Sequence, residues 1–154
     1  MPKLSTVYFQ ELEYPNEAIF DFPAGLPGFE DQVAFLFIEQ PQTRPLVFIQ
    51  SLLDTKLCFL AVPVLTVDAE YCLSLAPEDL TALGLEPDSA PKIGEEIGCF
   101  VLLTVAENAS PTVNLMSPIV INSRARKGIQ AVPATSPYSL RHPLVLEKEP
   151  APCS

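Results

Sequence analysis

Apolar residues fall in short runs along the chain, broken by proline, glycine and acidic positions. "STVYFQEL" places Val7 and Phe9 on one face before polar Gln10 and Glu11, as a half-buried strand would. "EAIFDF" sets Ile19 opposite Phe20 and Phe22, and "EYPNE" supplies a turn, so these two segments predict an opening hairpin. In "PAGLPGF", Pro27 and Gly28 suit the central positions of a type II turn, where glycine supplies a positive φ. Further strands are expected in "VAFLFIE", "PLVFIQSL", "LCFLAVPV", "YCLSLA", "CFVLLTV", "SPIVIN" and "GIQAV".

One stretch follows a helical period. "APEDLTALGLEP" has Pro77 near a first helical position, Glu78 and Asp79 in the first turn, and Leu80 and Leu83 three apart. Gly84 is placed to end the helix and Pro87 lies beyond it. The pattern as a whole predicts an all-β fold, a small antiparallel β-barrel or sandwich-like domain with one short helix. Residues 1–146 are expected to form a single domain. Residues 147–154, "EKEPAPCS" with nothing apolar to bury, should be a disordered tail.

Composition narrows the function. Apolar residues make up 48% and charged residues 18%, which excludes general disorder. No apolar run approaches the ~20 residues of a membrane helix, and no signal-peptide core follows Lys3, so a cytoplasmic location without membrane contact is expected. Net charge is −10 with a pI near 4.4. Nucleic-acid affinity comes largely from lysine and arginine on phosphates, so direct binding to RNA or DNA is not expected. A basic protein partner is easier to accommodate; the alternative, commoner among acidic proteins, is that the charge only keeps an apolar domain soluble.

Catalytic and metal chemistry finds little footing. The four cysteines are Cys58, Cys72, Cys99 and Cys153, with no C-x-x-C pair, and His142 is the single histidine. Cys58, Cys72 and Cys99 read as small core residues within apolar strands, and Cys153 as an exposed thiol in a polar tail. Neither a nucleophile elbow, a Walker loop nor a dinucleotide fingerprint occurs. The adjacent carboxylates Glu30-Asp31, Glu78-Asp79 and Glu95-Glu96 point apart on any regular element. These residues give an enzyme no support without excluding one, and no metal site is expected.

"NLMSPIVIN", residues 114–122, is the most informative segment. Ile119 and Ile121 alternate with Val120, so one face should enter the core and the other should not. Pro118 has no N–H to give, which predicts a sheet edge or a bulge. Arg124, Arg126 and Lys127 follow, three of only nine basic residues. Proline and charge either blunt this edge against unwanted pairing or mark it as one that a partner reads. On the second reading Asn114 and Asn122 offer amides at its two ends, and Leu115 and Met116 offer adaptable apolar contact. Arg124, Arg126 and Lys127 would then select an acidic stretch on the partner.

Three segments, "FPAGLPGFE" (22–30), "FIQSLLDTKLCFLAVPV" (48–64) and "VNLMSPIVINSRARKGIQAV" (113–132), resemble the FliW family of bacterial flagellar assembly factors. The resemblance implies a small β-barrel-like protein with two partners and no catalysis or cofactor. One partner would be flagellin, held in the cytoplasm before export. The other would be CsrA, the RNA-binding repressor of flagellin translation, which freed FliW binds away from its RNA surface and antagonises. A dedicated flagellin export chaperone that ignores CsrA is the alternative.

Overall fold

The computed structural model describes residues 3–6, 10–105, 108–133 and 135–144. The chain enters through a two-stranded sheet of β1 (Lys3–Thr6) and β2 (Gln10–Glu13), paired antiparallel with Leu4 opposite Leu12. This corrects the expected hairpin: the first run breaks into two short strands that pair with each other, not with "EAIFDF". Val7 and Phe9 lie outside the described residues.

The main sheet contains β3 (Ile19–Asp21), β4 (Ala34–Glu39), β5 (Val47–Ser51) and β6 (Cys58–Pro63), each antiparallel to the next. A long crossover carries α1 (Pro77–Ala82) before β7 (Gly98–Thr104), which pairs antiparallel with β6. The short β8 (Thr112–Val113) then leads to β9 (Ile119–Asn122), β10 (Lys127–Gln130) and finally β11 (His142–Pro143). β9 pairs with both β10 and β7, so the order β7-β6-β5-β4-β3-β10-β9 closes into a seven-stranded barrel. β8 and β11 extend from β7 outside the ring. β10 runs parallel beside β3, joined through Lys127 and Asp21.

Alternation along the strands sorts side chains into two cores. Phe20, Phe35, Val47, Ile49, Ala61, Ile119 and Ile121 share one cluster, to which Phe22 and Leu26 also belong. Residues of β3, β4, β5, β6 and β9 meet there, which places it inside the ring. Val62, Cys99, Val101, Val120 and Ile129, from the opposite faces of their strands, join Val64, Tyr71, Leu83, Val113 and Leu115 in a second cluster. The crossover and α1 cover that outer face.

Two expectations about strands change accordingly. β9 is buried along its whole length and paired on both sides, so it is neither an edge nor one-faced. Pro118 sits just ahead of the first paired residue, where its missing N–H interrupts no ladder, and its carbonyl accepts from Ala131 N at 2.9 Å. "YCLSLA" forms no strand. Its alternation is real, because Tyr71, Leu73 and Leu75 turn toward the second core, but its backbone joins no ladder.

The helix ends as its sequence suggests. Asp79 Oδ2 accepts from Ala76 N at 3.0 Å at the start. Gly84, at φ +79°, ends it, and Leu85 N donates to Leu80 O at 2.8 Å while Gly84 N donates to Thr81 O at 3.0 Å. This is the Schellman closure that a glycine at this point permits. The expected tail, 147–154, lies outside the described residues.

Candidate functional site

The segment 113–132 lines several hollows. The first is an apolar groove of about 330 Å³, lined by Leu26, Pro27, Phe29, Phe59, Leu102 and Val132, with Asn114, Ser117 and Gln130 along one side. All three motif segments meet here. Pro27 and Phe29 come from the tight turn, where Phe29 N donates to Leu26 O at 2.7 Å and Gly28 takes φ +86°. These are the features expected of the type II turn at Pro27-Gly28. Gly25 is required as well: a Cβ there would lie 2.6 Å from Phe29 O and Glu30 Cα, at φ +65°. The turn presents Phe29 against Phe59 of β6, ring edge to face at 5.4 Å. Phe29 is 38% exposed and Val132 62% exposed.

The groove's polar wall is tied to its own backbone. Asn114 Oδ1 accepts from Met116 N and Ser117 N, both at 3.0 Å, and Gln130 Nε2 donates to Ser117 O at 3.0 Å. Gln50 and Ser51, the Q-S at the end of β5, hold a neighbouring loop. Gln50 Nε2 donates to Ser51 O and Leu57 O at 3.0 and 3.1 Å, and Ser51 Oγ accepts from Leu53 N and Asp54 N while bonding Gln32 Oε1. These polar residues shape the scaffold.

The second hollow, about 680 Å³, lies between the end of α1 and the turn joining β9 to β10. Gly84, Leu85, Glu95 and Glu96 face Asn122, Ser123, Arg124 and Ala125 across it. Asn122, only 5% exposed, fixes this arrangement: its Nδ2 donates to Leu83 O at 2.8 Å, and its Oδ1 accepts from Arg124 N and Ala125 N at 3.1 and 3.4 Å. The basic cluster therefore occupies a turn between two barrel strands and does not blunt a sheet edge. Arg124 is exposed. Arg126, at φ +54°, donates from Nη1 to Asn16 O at 3.1 Å, and Lys127 is half-buried in β10.

The remaining residues singled out from the sequence divide clearly. Leu115 is 2% exposed, so its side chain packs the second core and is not available as a surface contact. Met116 is half-buried and lines a small cavity with Tyr71, Pro118 and Tyr138. Sequence reasoning missed Phe29, Phe59, Leu102 and Val132 as groove residues. The available signal was a large aromatic in a glycine-rich turn, where exposure is more common than in a strand.

The thiols also need correction. Cys99 is buried in β7 and Cys58 half-buried in β6, but Cys72 is exposed and belongs to no strand. Burial pushes the Cys58 thiol up to about 11 and the Cys99 thiol up to about 12, because the thiolate is disfavoured away from water. Both stay protonated at neutral pH. Iodoacetamide at pH 8 should therefore alkylate Cys72 well ahead of Cys58 and Cys99, as peptide mass spectrometry would read. Equal rates at the three positions would contradict the burial. Among the described residues no group of three or more His, Cys, Asp or Glu could hold a metal ion, and no helix is long and apolar enough to cross a membrane.

Comparison with known proteins supplies the context. The family model described as FliW protein matches residues 3–144. The flagellar assembly factor FliW of Syntrophomonas wolfei is 33% identical over 143 residues, covering 92% of this chain and 88% of its own. That of Desulfitobacterium hafniense is 34% identical over 148 residues, covering 96% and 93%. A crystal structure of the flagellar assembly factor FliW superposes with a TM-score of 0.79 at 28% identity, over 92% of this chain and 96% of that one. With sequence and fold matched from the first strand to the last, the chain belongs to the FliW family of flagellar assembly factors.

Proposed function

We propose that this protein binds flagellin in the cytoplasm and, when freed, binds CsrA and relieves its repression of flagellin synthesis. The observation that carries the reading is the convergence of the three motif segments on one exposed apolar groove. Asn114 Oδ1, Gln130 Nε2 and Gln50 Nε2 are engaged with the backbone, and among the described residues these segments present no acid–base or nucleophilic pair. The two hollows differ in character, one apolar and one rimmed by Glu95, Glu96 and Arg124, which suits two partners. β9 and its flanks border both, so occupancy of one can bear on the other. The protein acts on this reading without catalysis, metal or cofactor. The basic turn at Arg124, Arg126 and Lys127, organised by Asn122, is the proposed cationic contact. Asn114 shapes the apolar groove, and Met116 lies close behind its turn.

The charge of −10 sets the expected behaviour toward RNA. In a gel-shift titration the protein alone should not shift flagellin leader RNA, because it repels phosphate. Added in excess to a CsrA–RNA complex, it should release the RNA. A direct shift by this protein would overturn the mechanism. Flagellin binding with an unchanged CsrA–RNA complex would identify a dedicated export chaperone instead.

A further inference from the structure

We infer that the apolar groove docks a partner-protein segment carrying large apolar side chains beside a lysine or arginine. The inference deepens the reading above and rests on it for the partner being a protein.

The apolar half follows from exposure and stiffness. Phe29 and Val132 stand partly in water over Phe59 and Leu102, and a hollow of about 330 Å³ between them has room for side chains of that size. The turn that forms one wall is closely packed at Gly25, and Phe29 rests edge-on against Phe59. A wall already in place costs little ordering when a partner docks, so apolar burial there appears as affinity. On the polar side Asn114 Oδ1 and Gln130 Nε2 are committed to their own backbone, so apolar contact dominates recognition.

The cationic half follows from what lies next to the groove. Pro27 and Gln130 also border a further hollow, of about 340 Å³, whose lining includes Glu30 and Asp79. Among the described residues, no lysine or arginine lines either hollow. Glu30 Oε2 accepts from Gly28 N at 2.6 Å and Asp79 Oδ2 from Ala76 N, and no described lysine or arginine lines the hollow beside them. A carboxylate has lone pairs left for a charge-assisted bond. An apolar segment that ends in an acidic residue would meet like charge here, and a basic one would be steered in.

A random peptide library displayed on phage, selected on the full chain, tests the inference. The counter-selection uses the Phe29→Ser, Val132→Ser double variant, with its fold checked by thermal melting; Val132→Ser alone replaces it if the double variant melts. Recovered peptides should pair leucine or aromatic residues with lysine or arginine. They should bind the variant at least about tenfold more weakly than the original chain. Glu30→Gln, which keeps the acceptor for Gly28 N, should weaken the same peptides. No enrichment, acidic peptides, or equal binding to the variant overturns the inference. Titrating flagellin and CsrA on the same proteins separates the two claims. Groove-dependent peptides with neither protein bound would retain the groove and overturn the two-partner reading. Both proteins binding the groove variant at full strength would overturn the groove as their docking site.

Discussion

Replacing Leu115 with alanine is expected to lower stability by about 2–5 kcal/mol, because the side chain is fully packed and its removal leaves a cavity. At this chain length that is a fall in Tm of roughly 4–20 °C. The upper half of the range is favoured by the backbone around it. Leu115 N donates to Ser139 O at 3.0 Å, and Leu115 O accepts from the Tyr71 hydroxyl at 2.6 Å. Held from both sides, the segment cannot collapse into the space. Asn114→Ala, by contrast, loses only a cap on two backbone amides, a cost of about 1 kcal/mol. Differential scanning calorimetry on the two single variants separates them. A Leu115→Ala melt within a degree or two of the original chain would show that Leu115 does not fill the core.

Gly128→Ala should be destabilising by about 3 kcal/mol. A Cβ at this position would lie 2.6 and 2.9 Å from two ring carbons of Phe22. That ring has no exposed surface. It stands edge-on to Phe35 at 5.2 Å and stacks over Phe37 at 6.2 Å, so it has no direction in which to yield. Gly128 faces the barrel interior while its neighbour Ile129 faces the second core, and the glycine is what admits the Phe22 ring. Shrinking the ring should relieve the clash. Phe22→Leu combined with Gly128→Ala should then lose less than the sum of the two single variants in urea melts. Additive losses would mean that the two residues do not meet.

These two positions show what could be read from the sequence and what could not. Most strand segments, the short helix with its glycine stop and the tight turn at Pro27-Gly28 were legible, because each rests on local chemistry. The family motif was legible too, as spacing without roles. Structure assigns the roles: Asn114 caps a turn, Leu115 fills a core, Asn122 ties the end of α1 to the basic turn, and Gly128 leaves room for Phe22. The misreading of "NLMSPIVIN" has one cause. Alternation in a strand looks the same whether its second face meets water or another layer of protein. Here the crossover covers the outside of the barrel, so Val120 is as buried as Ile119. Pro118 looked like an edge signal because sequence does not reveal where the first paired residue falls. Phe59 escaped notice as a groove residue for a related reason, since a strand aromatic reads as core until the neighbouring turn is placed.

Competition between the two proposed partners tests the account most directly. A complex of this protein with labelled flagellin is titrated with CsrA, and the released flagellin is followed by fluorescence anisotropy. The account predicts that each partner binds alone and that CsrA lowers the apparent affinity for flagellin. By linkage, flagellin must lower the affinity for CsrA by the same factor. Independent binding of both partners, or failure of CsrA to bind the free protein, would contradict it.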